Sequence, residues 1–323
     1  MALPNKKQKT SDQTVLQPIS FEISGMAADV SLKVFDQEFL VHSPILKIHS
    51  AFFNKFLDSP DKTVVRGIHV EGEIKYQWVT ELDGENDWQL VANLSEENLD
   101  TTAYKGNKKH QQHCFLMILC AVYSKPYVLR SIRDLQILVE LADYYRTLPS
   151  VSRTLTDALF NSGKFNSDIQ KNCCLVLQMA TEARNKVLFK EALCYAIGPW
   201  YHPKYLTLYM DKNLRKVCEN VYNKVAATCM NMHYRIMKLD HGETERLNDK
   251  ISEWRQYQDG VSLPVYFRKV HSMGLIDASK LLTNNLVLQG RDYLAGEGDY
   301  QDWFLCAEIS DEDLPWDITQ TEW

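Results

Sequence analysis

The sequence predicts an α+β fold: a small sheet with helices, followed by an all-helical C-terminal extension. Three observations carry that prediction. Alternation of apolar and polar residues, the period-two signature of half-buried strands, is confined to the chain before residue 93. Capped apolar faces with helical spacing begin directly behind the first alternating pair. From residue 114 onward every periodic segment is helical.

Residues 1–17 are polar, mildly basic and aperiodic, which predicts disorder. Val30, Leu32 and Val34 alternate with Ser31 and Lys33, a strand. Asp36-Gln37 is the predicted tight turn, and residues 38–42 return with Phe39 and Val41 on one face. Ser43-Pro44 reads as an N-cap followed by proline at the first helical position. Ile45, Leu46 and Ile48 form one apolar face. After a second cap at Ser50, Phe52, Phe53, Phe56 and Leu57 form the next. Residues 63–69 predict a third strand with Val65 in the core. Two further alternating runs, 74–82 and 88–92, flank a turn rich in Asp, Gly and Asn and predict a hairpin. A register symmetric about that turn sets Trp78 opposite Ala92 and Tyr76 opposite Leu94. The resulting aromatic face needs a cover, and the domain's own core is the simplest one.

Residues 95–113 read as a polar loop, and 114–123 as a buried helix broken by Pro126. Helices follow over 132–148 and 151–160. Further helices are read from about 168, from about 184 to the Gly198-Pro199 stop, over 211–239, around 247–257, and over 277–288. The longest places Leu214, Cys218, Val221, Val225 and Met232 on one stripe, the pattern of core packing. The predicted organisation is therefore a tail at 1–17 and an α+β domain at 18–161 with an insertion at about 70–113. A helical extension at 162–290 and an acidic aromatic tail at 291–323 complete it.

The phrase FLVHSPILKIHSAFFNKFL at 39–57 and the hairpin before it, with FLMILCAVYSKPY and LQILVELADYYRTLP farther on, resemble BTB/POZ domains, particularly those abundant in filamentous fungi. The resemblance covers about residues 19–161 and implies a protein–protein interaction module or scaffold, non-enzymatic and able to self-associate. In BTB homodimers an acidic residue opening the first core strand sits near a basic residue of the first helix. Asp29 matches the acid, whereas Ser43 occupies the basic position and Lys47 lies one turn later. An unpaired buried Asp29 would be costly, so either Lys47 substitutes or the carboxylate is solvated. Residues 18–24, with Phe21 and Ile23, match the extra strand that some members exchange between subunits. Adaptors of cullin-type ubiquitin ligases carry a hydrophobic residue, any residue, then glutamate before the central buried helix. Here Phe115-Leu116-Met117 stands at that position without the glutamate. Two alternatives remain alongside the scaffold: such an adaptor, or a transcriptional co-regulator acting through a DNA-binding partner.

Charge and composition exclude several other classes. Hydrophobic residues make up 45% and charged residues 24% of the chain, ordinary for a soluble protein. No apolar run approaches the roughly 20 residues of a membrane span, and the start, MALPNKKQKTSDQT, lacks a secretory apolar core. The 8 cysteines form no CxxC pair and read as reduced thiols, which points to an intracellular protein of cytoplasm or nucleus. Net charge is −6, yet residues 292–323 hold ten acids and no Lys or Arg, leaving the rest at +4. Beyond Lys6, Lys7 and Lys9 there is no concentrated basic face, so direct nucleic-acid binding is not expected. In the acidic tail Tyr300, Trp303, Phe304 and Trp316 suit either a peptide that docks in a basic apolar groove or a segment folded back on its own helices. The charge difference favours folding back. Gly296-Glu297-Gly298 lacks the strand and lysine of a phosphate loop, and there is no GxSxG or HExxH. His110, His113 and Cys114 lie close together without a second ligand cluster, so no metal, cofactor or catalytic site is expected.

Overall fold

The computed structural model describes residues 16–59, 74–84, 87–92, 100–207, 211–257, 261–289, 293–320 and 323, and divides the chain into two units, Met1–Leu116 and Met117–Trp323. In the first unit β1 (Ile19–Ser20), β2 (Val30–Val34) and β3 (Gln37–Val41) precede α1 (Ser43–His49) and α2 (Ala51–Phe56). Then follow β4 (Tyr76–Leu82), β5 (Trp88–Ala92) and α3 (Lys108–Val122), the last running across the division between the units. The expected strand at 63–69 lies outside the described residues.

The sheet has the order β1-β3-β2-β4-β5. Strand β2 sits at its centre because both of its edges are used. Leu32 faces Phe39 of antiparallel β3 on one side and Trp78 of parallel β4 on the other. The two-residue turn from β2 to β3 is Phe35-Asp36, one residue earlier than the sequence suggests. Phe35 takes φ 54, a left-handed backbone that costs a bulky residue roughly 1–2 kcal/mol. Its compensation is packing. The ring lies 5.3 Å from Trp88 and 4.8 Å from Tyr104, and its N–H donates to Thr80 Oγ1 at 2.7 Å.

The second hairpin has the register its symmetric turn demands, with Trp78 opposite Ala92. Leu94 and turn residues 85–86 lie outside the described residues. Trp78 is 1% exposed and lies 5.9 Å from both Phe52 and Phe53, so the unit's own core covers the aromatic face. The segment read as an insertion thus supplies two of the sheet's five strands. Helix α3 starts at Lys108, six residues before the apolar run that announced it. Its polar first turns are held by specific bonds: Asn107 Oδ1 accepts from the His110 N–H at 3.1 Å, and the buried Gln112 donates to the Val34 carbonyl at 3.0 Å and to Asp36.

The second unit holds α4 (Ile132–Tyr144), α5 (Leu148–Phe160), α6 (Gly163–Ile169), α7 (Cys173–Glu182), α8 (Lys186–Ala196), α9 (Lys204–Thr207), α10 (Lys212–Ile236), α11 (His241–Tyr257), α12 (Leu263–Ser272) and α13 (Ser279–Leu282). Helices α7 and α8 form the central pair, and α4 and α5 pack onto them. The division therefore falls inside α3 and not after residue 161: the helices at 132–160 share a core with those that follow. Helix α12 escaped the sequence reading, although Pro264 suits its first turn and Phe267 and Val270 are buried. The helix expected over 277–288 is a single turn, α13. Beyond it Asn285 pairs with the tail instead, donating from its backbone to Leu305 O (3.0 Å) and from its side chain to Ala307 O (3.1 Å). All 8 cysteines are free thiols, six buried and two half-buried. No helix among the described residues is long and apolar enough to cross a membrane.

Candidate functional site

At one end of the first unit, Asp29 leads into β2, Ser43 and Lys47 stand on α1, Asp58 follows α2, and Lys75-Tyr76 opens β4. Asp29 is satisfied in a way the sequence did not foresee. Its carboxylate accepts from the Ser43 N–H and the Ser43 hydroxyl, each at 2.6 Å. Neither Lys47 nor solvent is needed as its counterpart. The serine in the basic position does two things at once, because one of its donors is an otherwise orphaned N–H of the first helical turn. Ser43 is correspondingly not the N-cap of α1: His42 holds that place and makes no cap bond. Ser50 is the N-cap of α2, accepting from the Phe53 N–H at 3.1 Å. Replacing Ser43 by Ala should cost about 1 kcal/mol in urea unfolding, and Asp29→Ala more, since it strands both donors. Equal, negligible effects would show that the pair contributes nothing.

Lys47 is engaged elsewhere, with Asp58 at 2.6 Å, and Asp58 also accepts from the Tyr76 hydroxyl. The Lys47 bond first, then the Tyr76 bond, hold the Asp58 carboxyl below its usual range. Burial, then the bond to Asp58, push the Tyr76 hydroxyl up to about 12. A raised folded-state value means that the Tyr76 contribution is complete below its ordinary 10.0 and is lost as pH rises through about 12. Lys75 and Lys47 both lie over the Tyr76 ring, at 4.7 and 5.7 Å from its centroid. Tyr76 was read from sequence only as a strand residue of the hairpin, and Asp58 was not singled out: an acid in the loop eleven residues after Lys47 carries no periodic signal.

Phe21 and Ile23 belong to the segment after β1. Ile19 pairs in parallel with Phe39, and the Phe21 N–H continues the ladder to Leu40 O at 3.0 Å. Phe21 is buried, Ile23 half-buried. A bridge from Ile23 to Met26 turns the chain at Gly25 (φ 78), and His42 Nε2 donates to the Met26 carbonyl at 3.1 Å. Phe21, Ile23, Met26 and His42 line an open groove of about 520 Å³. On α1, Ile48 is 72% exposed. Two acids and two lysines thus gather about the starts of β2 and β4.

Phe115 and Met117 are not a partner surface. Each is 1% exposed, and Phe115 packs 5.7 Å from Phe39 and 6.1 Å from Trp88. The near-continuous apolar run 114–122 is that of a helix mostly enclosed in the core, which leaves Phe115 and Met117 no accessible face. The tail anchors are likewise not free. Tyr300 and Phe304 are buried; Trp303 and Trp316 are half-buried. Tyr300 stacks on Tyr195 (6.2 Å), Phe304 meets Trp200 edge-on (4.9 Å), and Trp316 meets Phe189 (5.2 Å). Trp303 covers Gly198, where an added Cβ would fall 2.2 Å from its ring. The tail packs on the helices of its own unit.

Comparison with protein-family models, curated proteins and solved structures finds no match to this chain.

Proposed function

We propose that the chain is a non-enzymatic interaction protein of BTB/POZ type, a scaffold that binds protein partners, a second copy among them, through the first unit. The observation that carries this reading is the surface around α1. Asp29, Lys47, Asp58 and Lys75 gather both signs of charge about the starts of β2 and β4; α1, which carries Lys47, also carries the exposed Ile48, and the groove under Phe21 and Ile23 reaches Ala28. An apolar anchor with a mixed-charge rim is the usual composition of a protein interface. The order of hairpin, α1 and capped α2, with β1 added to the outer edge of β3, agrees with the resemblance read from sequence. A strand docked by so few pairs can be exchanged with a second copy in the same register. The cullin-adaptor reading keeps no surface at Phe115 and Met117, and nothing else favours it.

Affinity purification of the full chain with mass spectrometry tests the proposal, with Ile48→Asp as the comparison. That side chain is exposed, so the variant should retain its thermal unfolding profile. The expected result is a set of partners held by the wild type and lost by Ile48→Asp. Identical sets on both baits would overturn the assignment of this surface.

A further inference from the structure

His271 stands in the last turn of α12, and its ring meets the loop that leads into α13. One ring nitrogen has two partners there. The Ala278 N–H donates to Nδ1 at 3.2 Å, and the Ile276 carbonyl, which can only accept, lies 3.3 Å from the same atom. Nδ1 without a proton serves Ala278; Nδ1 with a proton serves Ile276. It cannot serve both. Ala278 is fully buried, and its N–H has no other acceptor among the described residues. Stranding that donor is costly, so the uncharged ring keeps its proton on Nε2. Ala278 is also the N-cap residue of α13, and its carbonyl accepts from the Leu281 and Leu282 N–H groups. Helix α13 packs on α10 and α12 with Leu281 buried, and Asn285 just beyond it bonds the tail at Leu305 and Ala307. The histidine therefore holds the entry to a helical turn from which the tail is tied down.

We propose that His271 is a proton-operated clasp: protonation of its ring releases the Ala278 N–H and loosens the start of α13. The ring is 43% exposed, so protons reach it from solvent. The charge it gains has partners of its own. An imidazolium donates from Nδ1 to the Ile276 carbonyl and faces the Asp277 carboxylate, 3.9 Å away. It also stands at the C-terminal end of α12, where a cation is favoured. Hydrogen bonds from Ser279, then the charges of His271 and Arg235, hold the Asp277 carboxyl below its usual range, so it is ionised when the imidazole takes up its proton. Against the charged ring stand the stranded Ala278 donor and the neighbouring cations. Arg235 of α10 acts on the same Asp277, and Arg246 of α11 donates to the Met273 carbonyl, two residues beyond His271. Lys269, on α12 itself, is drawn over the Trp254 ring at 4.7 Å from its centroid. Favourable and unfavourable contacts thus accompany both states of the ring, which is what a switch requires. The clasp lies wholly in the second unit and is independent of the surface proposed on the first.

Amide spectra of the full chain labelled with 15N-alanine, recorded from about pH 8 to about pH 5, where imidazoles change charge, are the test. As pH falls the Ala278 amide proton should move upfield in step with the His271 ring signals. Its protection from solvent exchange, corrected for the intrinsic rate, should drop by about tenfold. His271→Asn sets an amide oxygen near the place of Nδ1, which accepts from Ala278 at every pH. In that variant the Ala278 signal should stay in place and stay protected, which a merely structural role for the imidazole would not produce. Asp277→Asn removes the carboxylate that faces the charged ring, so the Ala278 transition should move to lower pH. An Ala278 signal that does not move in the wild type, or that moves equally in His271→Asn, would overturn the proposal. A transition at unchanged pH in Asp277→Asn would overturn the part given to that carboxylate.

Discussion

A chain ending at residue 292 should fail to form its second unit. Residues 293–320 run over α8, α10 and α13 with only two 3-10 turns, at Gly298–Tyr300 and Asp311–Asp313, and so draw little stability from secondary structure of their own. They act through burial. Tyr300, Phe304, Leu305, Ile309 and Leu314 are all buried, and removing them would uncover Phe189, Tyr195 and Trp200. At about 1.5–3 kcal/mol for each large apolar side chain, the loss is on the order of 10 kcal/mol. That is comparable to the whole stability of a typical domain, about 5–15 kcal/mol. The ion pairs Lys186–Asp311 and Lys224–Asp313 lie in the same segment, but they are solvent-exposed and contribute little by comparison. Near-ultraviolet circular dichroism and dye binding should show lost tertiary packing and exposed apolar surface in the truncated chain, while Asp311→Asn changes neither. A truncated chain that melts cooperatively within a few degrees of the full one would refute this.

The contrast between those two effects marks what the sequence could show. Charge asymmetry pointed to a tail folded back on its own helices, and the tail is folded back. The features that hold it, Tyr300 on Tyr195 and Trp316 on Phe189, join residues more than a hundred positions apart, and local pattern carries no such pairing. The register of β4 and β5 was legible because a symmetric turn determines it. The start of α3 was not, because its first turns are polar and depend on Gln112 reaching Val34 and Asp36 across the unit. The Asp29–Ser43 pair shows the same limit: the family pattern marked both positions as interacting and supplied the wrong chemistry for the link. On α10 the inner stripe was legible because Leu214, Cys218, Val221, Val225 and Met232 recur at helical spacing, and all are buried.

Glu191→Ala should destabilise the chain by about 3–5 kcal/mol. Glu191 stands on α8 amid apolar neighbours, 1% exposed, and no local pattern announced its role. Its carboxylate accepts three backbone N–H groups in a row, from Val287 (2.7 Å), Leu288 and Gln289 (3.2 Å each). It thereby fixes the segment that follows α13, which has no ladder or helix to satisfy those donors. Alanine would leave all three stranded and open a cavity. Glutamine, with one acceptor oxygen and an NH2 turned toward other donors, should cost less, about 1–2 kcal/mol. Burial raises the Glu191 pKa, and the three N–H bonds oppose that rise without cancelling it. The sign follows: with the folded-state value above the unfolded one, the group favours folding most fully at low pH. That share of stability is lost as pH rises through the raised value. Asp58 and Asp313 have lowered values and run the other way, losing their contribution as pH falls. Chemical denaturation between pH 4.5 and 7 should therefore show Glu191→Gln closing part of its deficit to the wild type as pH rises. Hydrogen exchange should find the amides of 287–289 deprotected in Glu191→Ala. A deficit that does not change with pH would mean that Glu191 does not titrate between those limits in the folded chain, and unchanged exchange at 287–289 would mean that its three hydrogen bonds do not hold the segment.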